Sequence, residues 1–103
     1  MNKTIPELTA EMNRFVTAMG WYAEDSVYAQ TPRNIAISLS LEAAEILEHF
    51  QWGAEADPEA LAEELADVGL YLLQLAYLMD VNLEQAIQEK LAYNYQRFGS
   101  REG

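Results

Sequence analysis

The chain has 103 residues, no cysteine, and 17 acidic against 6 basic side chains for a net charge of -11, with 50% of its residues hydrophobic. That length makes one domain, the hydrophobic share supplies a core, and the missing thiols exclude a disulfide framework and thiolate metal sites. So negative a surface repels nucleic-acid polymers and anionic lipid, so divalent cations would have to mediate the binding of any phosphate compound.

Apolar stretches are about one helix turn long and end in charges, which excludes a membrane span. No basic stretch followed by an apolar run marks a secretory signal, and a cytoplasmic location is the expectation. The first helix opens at Pro6 behind Thr4 and ends near Gly20, with Leu8, Met12, Phe15, Val16 and Met19 as its stripe. Trp21 to Gln30, aromatic, acidic and irregular, reads as a loop. Thr31 caps a second helix with Pro32 at its first position, and Gly53 stops it. Asp57-Pro58 repeats that signal for a third helix running to about Asp80. Asn82, with Gln85 three residues on, resembles a capping box for a fourth helix that ends by Gly99. The fold class is therefore all-α, an antiparallel four-helix bundle-like single domain over residues 1–103. Connections this short predict that helices two, three and four pack together.

Acids stand where a core belongs. On helix two, Ile35, Leu39, Ala43, Ile46 and Phe50 form one stripe, and Glu42 lies within roughly 20° of Ile35 on the helical wheel. Glu45 and His49 follow the same edge, and beyond them Ile37, Leu41 and Ala44 are apolar again. Helix three repeats the pattern. Its stripe is Leu61, Leu65, Val68, Leu72, Leu75 and Met79, while Leu70, Leu73 and Tyr77 cover much of the opposite face. Between these faces run Glu64, Asp67 and Tyr71, at i, i+3 and i+7. If the two helices pack antiparallel, Glu42, Glu45, Glu64 and Asp67 converge, a costly arrangement unless the acids are protonated or bound to cations. Oxygen-only ligation suits a hard ion, Mg2+ or Mn2+. A Glu-x-x-Glu spacing in an acidic helix is usually a solvated face, as Glu45 and Glu48 illustrate; two such pairs on consecutive helices, inside apolar arcs, weigh evenly against that. A di-iron bundle needs Glu-x-x-His on two helices, and the single His49 fits neither spacing.

The stretch Leu41-Glu42-Ala43-Ala44-Glu45-Ile46-Leu47-Glu48, then Phe50-Gln51-Trp52, then Glu63-Glu64-Leu65-Ala66-Asp67-Val68, resembles the MazG-like all-alpha nucleoside triphosphate pyrophosphohydrolases, most of all their dCTP pyrophosphatase type. Thr31-Pro32-Arg33-Asn34 matches the Pro-Arg-Asn opening of that family's second helix, and Lys90 to Phe98 resembles its closing Lys/Asn/Arg segment. The match spans roughly residues 31–98. It implies magnesium-dependent hydrolysis of (deoxy)nucleoside triphosphates, pyrimidine ones such as dCTP, to monophosphate and pyrophosphate, with Glu42, Glu45, Glu64 and Asp67 as catalytic metal ligands. It implies that Trp52 stacks on the base, Tyr71 lines the pocket, Lys90 and Asn94 contact the nucleotide, and Arg33 joins the substrate-binding set. It also implies homotetramers built as dimers of dimers, with nucleotide bound between subunits. The dCTP-specific members carry Trp-x-x-Phe-His shortly before Pro-Arg-Asn; here Tyr28-Ala29-Gln30 precede Thr31, so that histidine's base selection does not carry over.

Residue chemistry is compatible with these roles without dictating them. Lys90, Asn94 and Arg97 share one edge of helix four at i, i+4 and i+7, where solvated basic residues are the commoner case. Trp52 at a helix end suits packing or stacking alike, and Tyr71 by itself reads as core. Two other readings stand beside the hydrolase: a non-catalytic helical interaction module, and a phosphoribosyl-ATP pyrophosphatase of related fold, against which Phe50-Gln51-Trp52 argues.

Overall fold

The structure, a computed structural model, describes residues 2–99. Four α-helices occur in chain order, and no strand is present among the described residues. Helix α1 spans Ile5–Ala18 and begins with a complete capping box: the Thr4 hydroxyl accepts from the Glu7 N–H while the Glu7 carboxylate accepts from the Thr4 N–H. The Thr4 backbone N–H, and after it the Thr4 side chain, hold the Glu7 carboxylate below its usual range. At its end the Trp21 N–H reaches the Val16 carbonyl and the Gly20 N–H the Thr17 carbonyl, with Gly20 at φ 76°, the left-handed geometry of a Schellman close.

Helix α2 spans Pro32–Glu45, capped by Thr31, whose hydroxyl accepts from the Asn34 N–H at 3.1 Å. The α-helix stops well short of Gly53, because the chain tightens into a 3-10 helix over Ile46–Phe50. Helix α3, Pro58–Leu78, is capped by Asp57 and closed by Asp80 at φ 54°, a conformation that aspartate tolerates better than most residues. Helix α4, Leu83–Phe98, is capped by Asn82, but only half of the expected capping box forms: the Gln85 amide turns forward to the Glu89 carboxylate at 2.8 Å.

The packing differs from the predicted arrangement in one respect. Helices α2 and α3 form the main packed pair and α1 lies on α3, whereas α4 rests chiefly against α1. With α3 engaged by both α2 and α1, the fourth helix extends outward and leaves its own stripe open: Ile87 is 43% and Leu91 54% exposed. The radius of gyration is 16.7 Å, against about 13 Å for a compact domain of this length. Buried apolar residues among those described are few, namely Met12, Val16 and Ile35. No described helix is long and apolar enough to cross a membrane.

Candidate metal centre and adjoining groove

Side-by-side packing of α2 and α3 brings the acids together. One carboxylate oxygen from each of Glu42, Glu64 and Asp67 lies within 4.8 Å of the other two. Glu42 and Glu64 are half-buried and Asp67 is exposed. Glu45, one turn further along α2, completes the cluster electrostatically. The Glu42 carboxyl is held above its ordinary range, first by its hydrogen bond with Glu64, then by loss of surrounding water and by the charge of Glu64. Glu45 is raised as well, first by the negative charge of Glu42 and then by partial desolvation. Like charges at this spacing disfavour full ionisation, and a bound cation reverses that preference. The donors are all carboxylate oxygens on two rigid helices, with room between them for a hard divalent ion, so the residues fit Mg2+ or Mn2+.

His49 adjoins the cluster, its Nε2 3.5 Å from a Glu64 oxygen. The 3-10 turn carries it there. Its residue type and position on the edge of helix two were legible, but the tightened geometry that aims it at α3 was not.

From the acids a groove of about 1010 Å³ runs between α1, α2 and α3. Glu42, Asp67 and Tyr71 stand at one end, and Gln30, Asn34 and Gln74 line it further on. Its wall is aromatic: Trp21 packs edge-on against Phe15 at 5.6 Å and against Tyr28 at 6.3 Å between ring centroids. This volume lies at the upper end of small-molecule sites.

Of the residues implicated by sequence, the geometry brings Glu42, Glu45, Glu64, Asp67 and Tyr71 to this place. Arg33 is exposed next to the groove-lining Asn34. Trp52 lies outside the groove of its own chain, 92% exposed beyond the 3-10 turn. Lys90 and Asn94 sit on α4, also apart from that groove, with the Lys90 ammonium 5.0 Å from the Tyr93 ring centroid. Sequence reasoning missed Trp21, Tyr28, Gln30 and Gln74. The density of aromatic residues between Trp21 and Tyr28 was a signal, as was a glutamine in register with Asp67 and Tyr71 inside an otherwise apolar run.

Comparison with known proteins gives the chain a family. The chain belongs to the MazG-like family, whose profile matches residues 37–103. It is similar to dCTP pyrophosphatase 1 of Rattus norvegicus and Mus musculus, each 36% identical across 90% of this chain, and to the Homo sapiens protein at 34%. The chain spans 61% of the length of these relatives. A pyrophosphatase from Archaeoglobus fulgidus, known from its crystal structure, superposes with a TM-score of 0.74 at 32% identity, covering 95% of this chain and 94% of its own.

Proposed function

We propose that this protein hydrolyses nucleoside triphosphates, pyrimidine deoxynucleotides such as dCTP foremost, to the monophosphate and pyrophosphate, with magnesium, in the cytoplasm. The observation that carries this reading is the continuity of the Glu42–Glu64–Asp67 cluster with the aromatic-walled groove. One end suits a cation-bound phosphate chain and the other a base. The resemblance to dCTP pyrophosphatase 1 supports the substrate class.

In this reading Glu42, Glu45, Glu64 and Asp67 hold divalent metal, which when bound supplies charge neutralisation of the triphosphate and polarisation of the α-phosphorus. The protein's own groups bind and orient. His49, beside Glu64, restrains that carboxylate, and Tyr71 walls the passage between acids and groove. Trp21 and Tyr28 exclude water from the base, while Asn34 and Gln30 offer polar contacts. Four acids against a substrate anion leave cations in demand, and Lys90, Asn94, Arg33 and Trp52 serve the nucleotide from a neighbouring subunit. The assembly is then a homo-oligomer, a dimer of dimers, which also covers the open face of α4.

A pyrophosphate-release assay over a panel of nucleoside triphosphates, with and without magnesium, tests this. Magnesium-dependent release with dCTP among the best substrates is expected. No release from any nucleotide would turn the reading towards a helical interaction module, and release confined to phosphoribosyl-ATP would move it to that enzyme class.

A further inference from the structure

We propose that Gln74 is a specificity-determining residue: its side-chain oxygen accepts a hydrogen bond from the exocyclic amino group of the base, and Gln30 fixes the polarity that makes this possible. The inference rests on the reading that the groove holds a nucleotide.

Gln74 is 3% exposed, the one polar residue among the described residues to be so buried. Burying an amide in an apolar helix face is costly unless its groups are satisfied. Its Nε2 donates to Gln30 Oε1 at 2.7 Å and to the Tyr22 hydroxyl at 3.4 Å, which uses both amide protons. Tyr22 in turn donates to Asn13 Oδ1 at 2.5 Å, and burial raises its phenol above the ordinary value, so it stays a neutral donor. No described residue donates to Gln74 Oε1. That atom is not sealed away either, since no fully enclosed side-chain nitrogen or oxygen among the described residues lacks a partner. Gln74 lines the groove, and in the proposed role this open oxygen turns towards it.

An amide can be turned end for end, so its polarity needs a cause. The Gln30 Nε2 donates to the backbone carbonyl of Tyr28, a group that can only accept. This pins Gln30 with its oxygen towards Gln74. Gln74 must answer with its nitrogen, and its oxygen is left as the free group. The recognition end of the groove therefore presents a fixed acceptor.

Position matches this role. Asp67 and Gln74 are seven residues apart on α3, about 10.5 Å along the axis, with Tyr71 between them. A nucleotide with its α-phosphate near the acids lays its ribose past Tyr71 and brings the far edge of the base to Gln74. Cytosine and adenine carry an amino donor at that edge, whereas thymine and uracil carry a carbonyl oxygen that would face another oxygen.

The test uses the full chain with dCTP, dATP, dTTP and dUTP in magnesium, together with titration of dCMP and dUMP onto the protein. Wild type is expected to favour the amino bases in kcat/KM and in binding. Gln74→Leu, of similar volume, should reduce the ratio of amino-base to oxo-base kcat/KM about tenfold, the worth of one hydrogen bond in a dry site. Gln30→Ala, which frees the Gln74 amide to turn, should lower the same ratio without removing the acceptor. Unchanged ratios in both variants, or no discrimination by wild type in either assay, would overturn the proposal while nucleotide hydrolysis itself stood. Failure to hydrolyse or bind any nucleotide would sink both readings.

Discussion

Asp67→Asn separates a metal centre from a solvated acidic face. The substitution keeps side-chain shape and removes one charge. In the metal-free protein, the Asp67 carboxylate has an oxygen within 4.8 Å of oxygens from both Glu42 and Glu64. Two unit charges at that distance repel by about 0.9 kcal/mol in a water-like dielectric, and by several times more in a drier one. Asp67 is exposed, so the water-like figure and salt screening govern. The variant should therefore gain about 1 kcal/mol in chelator, or roughly 4–8 °C in melting temperature for a chain of this size. With magnesium the order reverses. Ligand binding at a hundred times its dissociation constant stabilises by about 2.7 kcal/mol, and an amide is a poor magnesium ligand, so the variant should lose most of that increment together with hydrolysis. Thermal melts of both proteins at one protomer concentration, with magnesium and with chelator, decide the matter. Equal magnesium shifts in the two proteins, or retained hydrolysis in the variant, would refute the reasoning and return Asp67 to the surface, where substitutions change stability by within about 0.5 kcal/mol.

The raised affinities of Glu42 and Glu45 for protons set a pH dependence. Groups whose folded values exceed their unfolded ones favour the fold when protonated, and that contribution is lost as pH rises above about 4.5 through the raised values. In chelator the melting temperature should thus fall between mildly acidic and neutral pH, and saturating magnesium should flatten the trend; parallel curves in the two conditions would count against it. Light scattering at micromolar concentration should return an oligomer, because Leu41, Leu65, Leu91 and Tyr95 are all more than half exposed in the single chain, and a monomer would contradict the proposed assembly. Trp52→Ala should raise the Michaelis constant more than it lowers turnover, since stacking on a base is worth about 1–3 kcal/mol; a collapse of turnover at constant Michaelis constant would place Trp52 elsewhere.

Local rules made the helices legible. Thr4, Thr31, Asp57 and Asn82 cap where their side-chain oxygens can reach free N–H groups, and Gly20 ends α1 because it alone there takes a positive φ without cost. The acid cluster was legible for a related reason: helical periodicity fixes which residues share an edge, and the direct connection from α2 to α3 lets their acidic edges face each other. The 3-10 turn at Ile46 was not legible, because its hydrogen bonds differ from those of an α-helix by one residue and no proline or glycine marks the change. The position of α4 depends on competition for the faces of α3, a tertiary choice that its own stripe cannot announce. Gln74 interrupts an apolar run. Its meaning lies in Gln30, 44 residues earlier, and no periodicity spans a loop.

Charge balance supplies the sharpest demand on the assembly. The residues lining the groove of one chain include Glu11, Glu42 and Asp67 but no lysine or arginine. A triphosphate entering it meets only negative formal charge, which metal at the acids can offset near the α-phosphate but not along the whole chain of phosphates. If Lys90 of a neighbouring subunit supplies the missing cation, every active site takes acids from one copy and a lysine from another. Asp67→Asn and Lys90→Ala should each be deficient as pure assemblies. Unfolded together in equal amounts and refolded, they should regain activity, because a two-fold pair carrying one of each has one site with both defects and one with neither. Random pairing makes half of the dimers mixed, so about a quarter of all sites would be intact. A mixture no more active than the mean of its two parents would show that acids and lysine act within one chain.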